Sequence, residues 1–226
     1  MLEIDALTKS YKGRPAVSGL TFNLARGEVL GFLGQNGAGK STTMRMIAGV
    51  LEPDSGDARI LGHSILGDRR AAQHQLGYLP EGAPLYRDMT PEGFLRFMAD
   101  AHGLTRAERV DAIDRVIADA RIANVAHQPI SSLSKGYRRR VGLAGAILHD
   151  PPVLLLDEPT DGLDPIQKRA VRALISRMAP DKAIIISTHT LEEVPAMCSR
   201  VILIDQGRIV ADETPAGLAA RRPGGL

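Results

Sequence analysis

Nine residues, GQNGAGKST from Gly34 to Thr42, constrain this chain more than any other stretch. They follow the apolar run VLGFL and precede TTMRMIAGVL, which reads as a helix, so the local order is strand, glycine-rich loop, helix. Gly34, Gly37 and Gly39 let the backbone turn its amides inward, with Gln35, Asn36 and Ala38 between them. The helix N-terminus that follows adds partial positive charge, so the loop is built to cradle phosphate. Lys40 is placed to reach the β- and γ-phosphates, and Ser41, with Thr42 beside it, to offer a hydroxyl to Mg²⁺. The pattern says nucleotide and no more, because GTPases, kinases and many ATPases share it.

A strand ending in such a loop needs neighbours buried on both faces. Short apolar runs at Val29 to Leu33, Val153 to Leu156, Ala183 to Ser187 and Val201 to Ile204 supply them, most with helical stretches between. Their near-continuous apolarity predicts an α/β fold with a mostly parallel core sheet. Leu2 to Leu24 reads instead as two strands around the Lys12-Gly13-Arg14-Pro15 turn, part of a small antiparallel layer. Helix starts are legible: capping boxes at Thr105/Glu108 and Thr190/Glu193, and caps before proline at Asp164-Pro165 and Thr214-Pro215.

From about Thr90 to Leu148 no convincing strand occurs. Phe94, Phe97, Met98 and Ala101 share one helical face, and Val110, Ile113, Ile117 and Ala120 another. The expected organisation is one domain: an α/β core over about 1–88 and 150–226, with a helical subdomain inserted over about 89–149. The tail RRPGGL reads as frayed.

Composition excludes some alternatives. Twenty-eight basic residues against 26 acidic ones give a net charge of +2, too balanced for the basic stripe that nucleic-acid binding needs. A single cysteine, Cys198, forbids an internal disulfide, fits a reducing cytosol and reads as a buried, inert thiol. No apolar run approaches the roughly 18 to 20 residues that span a bilayer, so any membrane part is expected from another chain.

Two further elements carry chemistry. VLLLDEP, Val153 to Pro159, puts Asp157 and Glu158 at the carboxyl edge of a buried strand, beside the glycine-rich loop. Asp157 can hold Mg²⁺; Glu158, turned elsewhere by strand alternation, can orient and deprotonate an attacking water. LSKG, Leu133 to Gly136, opens a helix, so Ser134 and the amides near Gly136 form a second anion-seeking helix end. One chain then carries two phosphate-binding ends, which suggests that the second caps a nucleotide bound to another copy. Ordinary capping by Ser134 is the other reading. Arg138, Arg139 and Arg140 read as a solvated or salt-bridged helix face, with contact to nucleotide or a partner loop as the other reading.

The order GQNGAGKST, LSKG, VLLLDEP, DGLDP, STH resembles the ATP-binding cassette family across essentially the whole chain. GYLPEGAPLY, LSKGYRRRVGLA and LDEPTDGLDP look most like cassette subunits of type-2 exporters, of the gliding-motility or copper-processing kind. The resemblance implies ATP as substrate with Mg²⁺, Tyr11 stacked on adenine with Val17 against the same base, His189 as the residue contacting γ-phosphate, and Asp164 at the crossing to a second cassette subunit. It implies a cytoplasmic ATPase, peripheral on the membrane through a permease that docks near Glu81 to Met89, and no nucleic-acid partner. Two departures stand out: Lys135 and Tyr137 replace a glycine and the glutamine of the usual LSGGQ, and Glu81 occupies the expected glutamine position after GYLP. Lys135 would add positive charge at the phosphate, and Glu81 would face Mg²⁺-bound water. The rival reading is a soluble cassette acting as a mechanical switch on ribosomes or DNA; such proteins usually carry two cassettes or a long coiled coil. A GTP-dependent switch is weaker still, since no Asn-Lys-x-Asp run occurs.

Overall fold

The computed structural model describes residues 1–220; the RRPGGL tail lies outside the described residues. The chain opens with β1 (Leu2–Tyr11) and β2 (Arg14–Leu24), antiparallel partners joined at Lys12 and Gly13, both of positive φ. After β3 (Val29–Leu33) and the glycine-rich loop comes α1 (Lys40–Ile47). Then β4 (Ser55–Ile60) and β5 (His63–Ser64) complete a sheet ordered β2-β1-β4-β5. Next follow α2 (Arg69–His74) and β6 (Leu76–Leu79), then the helices α3 (Pro91–Ala101), α4 (Arg106–Asp119) and α5 (Lys135–Ile147). The core resumes with β7 (Val153–Asp157), α6 (Pro165–Met178), β8 (Ala183–Thr188), β9 (Arg200–Asp205), β10 (Arg208–Glu213) and α7 (Pro215–Ala220). Among the described residues the second sheet runs β10-β9-β3-β8-β7-β6, parallel throughout except for the β10 edge.

Strand alternation explains why this sheet reads as unbroken apolar sequence. On β7, Val153 and Leu155 enter one core with Leu30 and Phe32 of β3, Ile185 of β8 and the β1–β2 layer. Leu154 and Leu156 enter the other with Ile184, Ile186 and the helices α3 to α6. Every residue of β3, β7 and β8 is buried, and the parallel strands deliver their carboxyl ends to one edge. Cys198 is buried too, and burial pushes its thiol up to about 12, out of reach of ordinary redox chemistry.

Several expectations are corrected by packing. The buried face of α3 is Phe94, Leu95 and Ala99, whereas Phe97 is 43% exposed and meets Tyr86 edge-on. On α4 the face is Ala112, Ile113 and Val116, and Val110 is exposed. In both, the stripe is rotated because each helix packs against two others, not one. The Thr105/Glu108 capping box forms, as do the Asp164 and Thr214 caps. Thr190/Glu193 makes none: Leu191–Ala196 is a 3-10 turn, and buried Glu193 accepts instead from Thr160 Oγ1 at 2.6 Å and Lys168 Nζ at 2.8 Å. A carboxylate gains more from two such partners in low dielectric than from an exposed cap.

The arginine cluster is likewise not a solvated face. Arg139 and Arg140 are both buried, and Arg140 donates to the carbonyls of Ala120 and Arg121. Arg138 reaches back to the Leu133 carbonyl. Long aliphatic stems let these guanidiniums thread between elements and satisfy loop carbonyls.

Where α3 ends against α5, the His102 and His149 rings stack at 3.7 Å. Burial, aided by the facing His102, pushes His149 down to about 4. Because its folded pKa lies below the ordinary value, the unfolded chain takes up the proton first as pH falls. The stabilisation is therefore complete above about pH 6.5 and is lost on going down toward pH 4. His149→Phe, which keeps the stack, should shrink the fall in Tm between pH 7 and 4.5 by about 4 °C relative to the native chain. Identical pH profiles in thermal melts would reject this assignment.

Candidate active site

A cavity of about 340 Å³ opens at the carboxyl edge of the parallel sheet. It is lined by Ala16, Asn36, Gly37, Gly39, Lys40, Ser41, Thr42, Glu81, Glu158 and His189, drawn from five separate segments of the chain. The first wall is the glycine-rich loop. Gly39 has φ 108°, and a Cβ there would lie 2.5 Å from the Ala16 carbonyl oxygen, so only glycine lets the loop close against the β1–β2 layer. A Cβ on Gly34 would meet the Ile204 carbonyl at the same distance. Lys40, 6% exposed, donates from Nζ to the carbonyls of Gly34 at 2.7 Å and Gln35 at 3.0 Å. Burial lowers its pKa, while Glu158, Asp157 and Glu81 work the other way. Ala38 is buried beneath the loop.

The second wall comes from β7 and β8, whose ends are in register at Asp157 and Ser187. Asp157 closes β7, is 1% exposed and accepts a hydrogen bond from the Ser187 hydroxyl. Glu158 then leaves the strand through left-handed backbone at φ 51°. That turn, not strand alternation, separates the two carboxylates. It is secured by the Glu158 amide, which donates to Ser187 Oγ at 3.1 Å and to the Ser187 carbonyl at 3.2 Å. His189, one residue past β8, places Nδ1 2.7 Å from Glu158 Oε1. Ser41 and Glu81 offer the cavity the hard oxygens that suit Mg²⁺, whereas Asp157, a third such donor, lies buried at the end of β7 and is not part of the cavity lining.

Other expected site residues stand outside this cavity. Tyr11 is 45% exposed at the end of β1. Val17 is corrected: it is fully buried, its methyl packed under the position of Gly39, and it has no surface to offer a base. Ser134 caps α5, accepting from the Tyr137 amide at 3.3 Å. Lys135 reaches Asp161 of its own chain at 2.8 Å, which holds that carboxyl below its usual range. Gly136 lies against Gln167 and Leu163, where a Cβ would come within 2.8 Å of the Gln167 amide oxygen. Asp164 caps α6 through the Gln167 amide at 2.8 Å.

Sequence reasoning missed Ala16 and Ser187. Nothing in the residue type marks Ala16. Ser187 carried a signal, a hydroxyl closing the apolar run AIII, but its partner became readable only once β7 and β8 were known to be neighbours.

A glycine-rich loop, two carboxylates at the end of β7 and a histidine thus meet on one edge of a parallel sheet, and similarity to known proteins names the family that carries this edge. The family profile described as ABC transporter matches residues 17–161. The Nod factor export ATP-binding protein I of Paraburkholderia xenovorans (strain LB400) is 38% identical over 224 residues, 99% of this chain and 74% of that protein. The linearmycin resistance ATP-binding protein LnrL of Bacillus subtilis (strain 168) is 33% identical over 225 residues, 99% of this chain and 72% of that protein. A solved ATP-binding subunit of an ABC transporter superposes with TM-score 0.90 at 30% identity, covering 99% of this chain and 95% of its own. The chain accordingly belongs to the ABC transporter family, as an ATP-binding cassette that hydrolyses ATP.

Proposed function

We propose that this cassette powers an exporter of the type-2 class, two copies or this chain and a related one closing around two Mg·ATP. The observation that carries the reading is the single cavity in which the phosphate loop, Glu81, Glu158 and His189 converge. The loop amides and Lys40 would bind the phosphates, with Tyr11 at the base. Ser41 and Asp157 would hold Mg²⁺, which when bound neutralises charge on the β- and γ-phosphates. Glu158 takes the proton of the attacking water as its oxygen bonds to the γ-phosphorus and the bond to the β-phosphate oxygen breaks, leaving ADP and phosphate. His189, bonded to Glu158, keeps that carboxylate aimed.

In the closed pair, Ser134 and Gly136 would cap the partner's γ-phosphate, with Lys135 beside them and Asp164 at the crossing between chains. The helical subdomain of about 89–149 would swing against the core of about 1–88 and 150–226. Among the described residues no helix is long and apolar enough to cross a membrane, and the membrane part of the transporter would be a permease. Its docking face is supported by a second cavity, of about 560 Å³, walled by Leu79, Leu85, Tyr86, Phe94, Phe97 and Met98. Tyr86 and Phe97 expose 54% and 43% of their surface there. Export is supported by the names of the Nod factor and linearmycin relatives, and the gliding-motility or copper-processing subgroup by LSKGYRRRVGLA and Glu81. The site would then work on the cytoplasmic side of the membrane.

The test is a gentle-detergent purification of the tagged chain from its own cells, with and without ATP. A stoichiometric companion with several apolar spans is expected. Ribosomal proteins, nucleic acid or a second soluble cassette in its place would overturn the transporter reading and leave the ATP chemistry standing.

A further inference from the structure

Arg139 is 6% exposed; it feels the charges of Asp157, Asp161, Glu158 and Glu81, yet among the described residues it forms no direct ion pair with them. Its Nε donates to the Glu158 carbonyl at 3.2 Å and its Nη1 to the Pro80 carbonyl at 2.7 Å, while Nη2 is buried with no hydrogen-bond partner. These two carbonyls belong to the segments that carry Glu158 and Glu81, both of which line the nucleotide cavity. The guanidinium stands on α5, about one turn beyond Ser134 and Gly136.

An apolar side chain of similar length would fill this space without leaving a buried donor unpaired. The arginine does something an apolar residue cannot: it fixes two loop carbonyls to one rigid helix. At Glu158 the effect is specific. Its left-handed backbone is pinned at the amide by Ser187 of β8 and at the carbonyl by Arg139 of α5, so the direction of its side chain depends on both elements.

We propose that Arg139 is a positioning residue that fixes Glu158 and Glu81 from α5, so that a shift at the Ser134 end of the helix moves both carboxylates of the same chain. The coupling half of this rests on Ser134 serving a partner's nucleotide; the positioning half does not. Arg139 does not line the nucleotide cavity, and it would act through the two segments it holds.

The experiment compares kcat, KM and Tm for Arg139→Met, Arg139→Lys and Ser134→Ala, and repeats Arg139→Met in a Glu158→Gln background by single-turnover hydrolysis. Arg139→Met is expected to lower kcat by about 10- to 100-fold, the scale of a small misplacement of a catalytic group, with KM within about threefold. Arg139→Lys, able to hold one carbonyl, should recover part of the loss. With Glu158→Gln already present, Arg139→Met should lower the rate by a much smaller factor, the part that passes through Glu81. Wild-type kcat in Arg139→Met, a loss in KM alone, or the same fold-loss in both backgrounds overturns the proposal. If Arg139→Met does not fold, Arg139→Lys and Arg139→Gln replace it: a selective kcat loss in either supports the assignment, and wild-type kcat in both rejects it. Ser134→Ala separates the two readings. Full activity there beside a loss in Arg139→Met rejects the partner-facing role of Ser134 and keeps the positioning of Glu158; the converse pattern rejects the positioning.

Discussion

Glu158→Gln should bind ATP with native affinity and hydrolyse it about 100- to 10,000-fold more slowly, the share of a general base in such a reaction. The side chain borders the cavity, and its own contact in the protein is His189, with Nδ1 2.7 Å from Oε1. Glutamine keeps the shape and the contact with His189 but cannot take a proton from water. The backbone that aims the residue is held by Ser187 and Arg139 through main-chain atoms, so the substitution leaves that frame intact. The check is equilibrium binding of a fluorescent ATP analogue beside steady-state phosphate release. A turnover within about fivefold of native, outside the range of general-base loss, would remove Glu158 from this role.

Lys40→Ala acts on binding instead. Nζ is fastened to the Gly34 and Gln35 carbonyls at 2.7 and 3.0 Å, inside the loop that would hold the phosphates. Loss of one charge-assisted contact to phosphate is worth about 1.5–3 kcal/mol, or roughly 10- to 100-fold in Kd. Stability should move less. The variant gives up two hydrogen bonds but also removes a charge whose burial already depresses its pKa. Calorimetric titration with ATP should show weakened affinity at a Tm close to native. Native affinity would mean that the loop backbone alone holds the phosphates.

These two predictions came from different depths of the molecule. The glycine-rich loop was legible because its chemistry is local: Gly39 needs positive φ and Lys40 opens the helix that follows, whatever the rest of the chain does. The runs over β3, β7 and β8 were legible because a strand buried on both faces admits almost nothing but apolar residues. The short strands β4 and β5 were not, since SGDARI and HS carry no such pattern: β4 pairs with the free edge of β1, and β5 with β4 in turn. Glu193 misled for a related reason. Its spacing from Thr190 is that of a capping box, but Thr160 and Lys168, far off in sequence, compete for the same carboxylate and win.

The arginine triplet marks the boundary most sharply. Charge at consecutive positions predicts solvent, and only the convergence of α5 with the Pro80 and Glu158 segments turns Arg139 inward. By itself the sequence determined the phosphate loop and the caps at Thr105 and Asp164, which hydrogen bonds within a few residues decide, and the strands buried on both faces, which admit almost only apolar residues, with the acids that follow one of them. Tertiary structure alone decided which face of α3 is buried, that Val17 is sealed beneath the loop, and that Ser187, His189 and Arg139 meet around Glu158. Those outcomes depend on which distant groups are brought within hydrogen-bonding reach, and no periodicity along the chain encodes that distance.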